Sequence, residues 1–157
     1  MSRKRERYVP KTFESDRELL PKKKNGDNAT DVSANIYISM LMSQAWHNLT
    51  GKQKELYIYC KAQYYGEKKT NEEHLTAKEK MNNEKPNIEK RFTMNKTKWC
   101  DFYGIYAEST RRHFYNDMKA LIDNGFVKVL ENGSNTRTKN IYEFSSEWVE
   151  QGIWKKP

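Results

Sequence analysis

Residues 92–144 read FTMNKTKWCDFYGIYAESTRRHFYNDMKALIDNGFVKVLENGSNTRTKNIYEF, and the order of elements in this stretch decides the fold. Phe92–Met94 alternates like a small strand. Asn95 is placed to cap a helix with Trp99 and Phe102 inward and Lys96 and Lys98 outward. Gly104 ends that helix by supplying a positive φ that other residues resist, and Ile105 plugs the turn. A second helix is marked by Phe114, Met118, Leu121 and Ile122 at three- and four-residue spacing. Its best caps are Ser109 or Thr110, so the turn Gly104–Glu108 is longer than a tight one; a start at Ala107 is the competing register. Gly125 closes the helix as its left-handed residue. Phe126–Leu130 follows as a strand, 131–139 as a polar basic tip with a turn signal at Asn132 and Gly133, and Asn140–Phe144 as the returning strand.

That order predicts an α+β, mainly α, chain: a winged helix-turn-helix with a two- to three-stranded wing sheet. With the second helix starting at Ser109 or Thr110, Arg111, Arg112, Tyr115, Asn116 and Lys119 lie opposite its buried face, where a recognition helix meets the major groove. Arginine bonds guanine and asparagine bonds adenine in bidentate fashion, each good pair giving about 1–3 kcal/mol of discrimination. Arg111, Arg112, Tyr115 and Asn116 are expected at base edges, and Ser109 and Thr110 at the helix start are expected among the DNA-binding residues. Lys96, Lys98, Lys119, Arg137 and Lys139 are expected on phosphates, with Thr138 beside the last two in the wing. Outward arginines alone describe any solvated helix; their coincidence with a basic wing and a basic arm points to double-stranded DNA.

Outward from this stretch, 1–33 is expected to be a flexible basic arm with a short helical piece around Ser15–Leu20. The domain is expected over 34–150, with 151–157 as a C-terminal tail. Asn35–Ser39 suggests a short strand or an extended lead-in. Ser43 can cap a helix through Leu49 that buries Ala45 and Trp46. Thr50 and Gln53 have capping-box spacing before a helix over Lys52–Tyr65, whose stripe of Leu56, Tyr59, Cys60, Gln63 and Tyr64 is thickened by Tyr57, Ile58 and Tyr65. Residues 66–91 carry seven basic and six acidic groups in twenty-six. They are expected to be a charged insertion, an exposed or mobile loop with one turn after a Thr70–Glu73 capping box and closed by Pro86. Trp148 and Trp154 are expected to pack the C-terminal segment or to dock a partner.

The net charge of +8 is distributed, with nine basic and six acidic residues in 1–31 and ten and eight in 92–157. Such a balance favours a polyanionic partner. No stretch has the length of a membrane span, and the N-terminus lacks the apolar core of a signal peptide, so a cytoplasmic protein is expected. Cys60 and Cys100 show no paired-cysteine motif and read as reduced thiols. His47, His74 and His113 form no ligand pattern, and no phosphate loop, nucleophile elbow or paired-carboxylate spacing occurs. Neither enzyme activity, nor a metal, nor a cofactor is expected.

Asn35–Trp148 resembles the winged-helix domains of replication initiators from plasmids and conjugative elements of low-GC Gram-positive bacteria, and of phage replisome organisers. The residues that carry this are NIYISMLMSQAWHNLTGKQKELYIYCKAQYY, FTMNKTKWCDFYGI and HFYNDMKALIDNGFVKV followed by NIYEFSSEW. The turn before the second helix is longer than in those families, and the insertion at 66–91 is charged. The resemblance implies a replication-initiation or regulatory factor of a mobile element, in a chain short for a full initiator. Implied partners are double-stranded DNA, a second copy of the chain (one recognition helix reads few bases) and other replication or regulatory proteins. The rival expectation is a protein-interaction module docking through Tyr106, Tyr115, Trp148 and Trp154.

Overall fold

The computed structural model describes residues 17–20, 22, 25, 26, 31–66, 69–133 and 139–157. The chain divides into Met1–Asp31 and Val32–Pro157. In the first unit the described residues include a single 3-10 turn, Arg17–Leu19, inside the range expected for a helical piece; the rest of the expected arm lies largely outside the described residues.

The second unit begins with two short helices. No strand forms over Asn35–Ser39; an extended Tyr37 leads into α1 (Ile38–Leu41). Ser43 caps α2 (Gln44–His47), its hydroxyl accepting from the Trp46 N–H at 3.1 Å, and Ala45 and Trp46 are buried as expected. The capping box of α3 (Gly51–Gly66) is complete: the Thr50 N–H donates to Gln53 and the Gln53 N–H to the Thr50 hydroxyl. Leu56, Tyr57, Cys60 and Gln63 form its buried stripe, whereas Ile58 points to solvent at 43% exposure. The stripe is therefore narrower than the apolar residues suggest.

The charged insertion is built into the domain. After α4 (Asn71–His74), α5 (Ala77–Met81) starts at Thr76, which forms a full capping box with Glu79. The Thr70 box is only half made: its hydroxyl accepts from the Glu73 N–H, but its own N–H meets His74 Nδ1 rather than Glu73. Arg91 then clamps the insertion to the sheet. Its guanidinium donates to both oxygens of Glu79 at 2.6 and 2.8 Å and to the His74 carbonyl at 2.9 Å. Glu131 accepts from the Ala77 N–H at the start of α5. The turn expected after Thr70 forms and a second follows it, both docked on the domain, while 82–85 and most other described residues of the insertion are exposed, as expected for this segment.

Three short strands make an antiparallel sheet in the order β1 (Arg91–Phe92), β3 (Ile141–Phe144), β2 (Val127–Glu131). Between β1 and β2 run a π-helical segment, Thr97–Phe102, and the long helix α6 (Arg111–Asp123). α3, α6 and the sheet share one core, in which Trp99 stacks on Phe114 and Phe92 on Phe144. The C-terminal segment is not a free tail. Ser43 bridges Ile153, the Gln44 N–H donates to the Gly152 carbonyl and the Trp154 N–H to the Met42 carbonyl. Trp154 stacks on His47, and Trp148 on Phe126.

Candidate nucleic-acid interface

Asn95 caps the first of the two helices before the hairpin, its side-chain oxygen accepting from the Lys98 N–H at 3.2 Å. The Tyr103 N–H then reaches the Lys98 carbonyl, five residues back. This wider π turn rotates the segment relative to an α-helix. Trp99 stays inside, but Phe102 is 40% exposed instead of inward. Gly104 takes a φ of 63°. The N–H groups of Ile105 and Tyr106 both converge on the Trp99 carbonyl, and both side chains are buried.

The next helix opens as a 3-10 turn, Glu108–Thr110, and becomes α6 at Arg111. Neither expected cap works as one: the Thr110 hydroxyl turns back to the Ala107 carbonyl at 3.0 Å, and Ser109 is exposed. Both expected registers are thus partly realised, since the helical path starts after Ala107 and tightens into α-geometry at Arg111. Phe114, Met118 and Leu121 are buried, while Arg111, Arg112, His113, Tyr115, Asn116 and Lys119 are not. At about 100° per residue, Arg112, Asn116 and Lys119 centre the outward face, with Arg111 and Tyr115 on one flank.

A polar clamp sets the pose of this helix. Asp117 accepts from the Tyr106 hydroxyl at 2.6 Å and from Gln53 at 3.3 Å, joining α6 to the preceding turn and to the first turn of α3. Lys52 lies over the Tyr106 ring. Burial and the Asp117 carboxylate push the Tyr106 hydroxyl far above its ordinary pKa, so it remains a donor. The other end of α6 closes through Gly125, with the Gly125 N–H bonded to the Ile122 carbonyl and the Phe126 N–H to the Leu121 carbonyl. These two bonds form a Schellman motif.

The predicted cations are unequal once folded. Lys98 is drawn inward: its ammonium donates to the Thr93 carbonyl at 2.7 Å and hydroxyl at 2.9 Å, where an outward phosphate contact was expected. Lys96 pairs with Glu108 at 3.0 Å, and Arg111 reaches the same carboxylate at 4.0 Å. Lys119 pairs with Asp123 at 2.6 Å, and Lys139 with Glu73 at 3.6 Å. Arg112 has no ion pair or side-chain hydrogen bond among the described residues, and neither does Asn116. Arg137 and Thr138 lie outside the described residues, as do Ser134, Asn135 and Thr136 of the tip. Exposed pairs of this kind are worth about 0–1 kcal/mol, so a phosphate can displace them.

Glu108 and Asp117 contact the candidate residues or hold their helix in place. Glu108 carries a readable signal, an acid three residues before an arginine at a helix start; Asp117 lies between buried positions and gives none. The four residues of the rival docking surface do not come together as an exposed set, because Tyr106 is buried in the core and Trp148 is half-buried against Phe126. No helix among the described residues is long and apolar enough to cross a membrane, and no three His, Cys, Asp or Glu among them are grouped to hold a metal. No protein-family model, curated protein or solved structure matches the chain.

Proposed function

We propose that this chain is a cytoplasmic winged helix-turn-helix protein that binds double-stranded DNA, serving replication initiation or its regulation on a mobile element. The observation that carries the reading is the outward face of α6, where Arg112 and Asn116 stand side by side without side-chain partners among the described residues. A core clamp at Asp117 holds the helix, and a hairpin follows it. Support for the winged architecture comes from the chain order of α3, β1, the π-helical segment, α6, β2 and β3, with the returning strand between the other two. In that architecture α6 enters the major groove with its N-terminal half leading, Arg112 and Asn116 read base edges, and the cations at either side hold phosphates.

Arg112→Ala is the direct test, measured by mobility shift in low salt on duplexes selected from a random pool. Removing one bidentate pair is expected to cost about 1–3 kcal/mol, or roughly 5- to 150-fold in Kd. Circular dichroism should stay unchanged, because the side chain is exposed and outside the core. Arg111→Ala is expected to cost less, since Arg111 is shared with Glu108. Equal affinities for wild type and the Arg112→Ala, Arg111→Ala double variant would remove α6 as the reading element.

A further inference from the structure

Resting on the DNA-binding reading, we infer that Glu108 is a built-in competitor for backbone phosphate, holding down non-specific affinity at the mouth of the interface. Its carboxylate lies between two cations from different elements: Lys96, ahead of the π-helical segment, at 3.0 Å and Arg111, in the first turn of α6, at 4.0 Å. An acid in the first turn of a helix is ordinarily explained by the helix dipole. The dipole together with ordinary i,i+3 pairing covers Glu108 and its Arg111 contact, and leaves the cross-element contact to Lys96 unaccounted for. A carboxylate bridging two exposed cations occupies the position that a phosphate oxygen would take between them.

The consequence differs between random and selected DNA. Binding to random sequence comes almost wholly from phosphate neutralisation, so each cation held by Glu108 must first be released, and the freed carboxylate then faces the phosphates. Base recognition by Arg112 and Asn116 involves no such exchange, because Glu108 pairs with neither. Glu108 therefore subtracts from the affinity common to all sequences and leaves the part that discriminates among them.

Fluorescence anisotropy of the full chain with a random-sequence duplex, over a salt series, tests this. Glu108→Gln is expected to bind several-fold tighter at low salt, with the slope of log affinity against log salt steeper by about 0.9, the equivalent of one more neutralised phosphate. Glu150→Gln makes the same charge change on an exposed residue outside the cluster and should leave the slope alone. Adding Lys96→Ala to Glu108→Gln should return the slope to the wild-type value. The inference is overturned if Glu108→Gln keeps the wild-type slope, if Glu150→Gln steepens it equally, or if the added Lys96→Ala changes nothing. Wild type showing no salt-dependent binding to any duplex would instead overturn the DNA-binding reading on which the inference stands.

Discussion

Gly125 meets two separate demands at one residue. Its φ of 83° lies in the left-handed region, which costs other residues about 1–2 kcal/mol. A Cβ there would also stand 2.6 Å from the Trp148 backbone nitrogen and 2.8 Å from the Glu147 carbonyl carbon. The approach is close because the Trp148 N–H donates to the Gly125 carbonyl at 3.1 Å while Phe126 stacks on the Trp148 ring. Gly125→Ala is expected to destabilise by about 2 kcal/mol or more and to lower Tm by about 5–10 °C, read by thermal unfolding. An unchanged Tm would show that the C-terminal segment does not press on this turn. Gly104, also at positive φ, has open space where its Cβ would lie, so it faces only the conformational demand. The sequence reveals Gly125 as a helix stop but not the second demand, which depends on a segment more than twenty residues later. The same limit applies to the arginines: the two are adjacent in sequence, yet Arg111 lies on the flank of the helix within reach of Glu108, while Arg112 centres the outward face.

Among elements, the insertion departs most from what its composition suggests. Half of residues 66–91 are charged, which ordinarily marks a solvated loop, and most of the charged residues described there are exposed, yet Glu79 and Arg91 form a largely buried pair. The side chains of Arg91 and Glu79 are 7% and 15% exposed, and Glu143 lies 3.7 Å from Arg91. The paired hydrogen bonds from Arg91 hold the Glu79 carboxyl down at about 2, against an ordinary 4.5. Because the folded value is depressed, the stabilisation is fully present above pH 4.5 and is lost as pH falls through 2. It amounts to about 3 kcal/mol at neutral pH. Glu79→Gln should therefore be less stable than wild type in neutral denaturant titrations, with the gap closing as pH drops from 4.5 towards 2. A gap independent of pH would mean that the ion pair is not what fastens the insertion. The Thr76–Glu79 capping spacing is a local signal. The role of Arg91 is not legible in the same way, because a charge before a strand gives no hint of a partner twelve residues earlier. By contrast α3, α6 and the hairpin are readable from spacing, since their apolar periodicity and glycine stops are also local; Ile58 and Phe102 break the pattern where a neighbour is missing or a π turn intervenes.

For the whole molecule, charge and core are distributed differently between Met1–Asp31 and Val32–Pro157. Among the described residues, the hydrophobic core belongs entirely to the second unit. The first contributes nine of the 29 basic residues and six of the 21 acidic ones. Within the second unit, Lys96, Lys119 and Lys139 already have carboxylate partners and Lys98 is held by Thr93. Few of the described cations around α6 can therefore meet phosphate without an exchange, so under the DNA binding proposed above the excess of positive charge in 1–31 is expected to contribute to the phosphate contacts. Deleting 1–31 is expected to leave thermal stability and the preference for a selected duplex intact. The slope of log affinity against log salt should become shallower by about 0.9 for each phosphate that the truncated chain no longer neutralises. Salt-dependent anisotropy on truncated and full chains measures this directly. Equal slopes would assign all phosphate neutralisation to Val32–Pro157 and require the pairs at Lys96, Lys119 and Lys139 to open on binding; a weakened duplex preference on truncation would instead move part of the base reading into the first 31 residues.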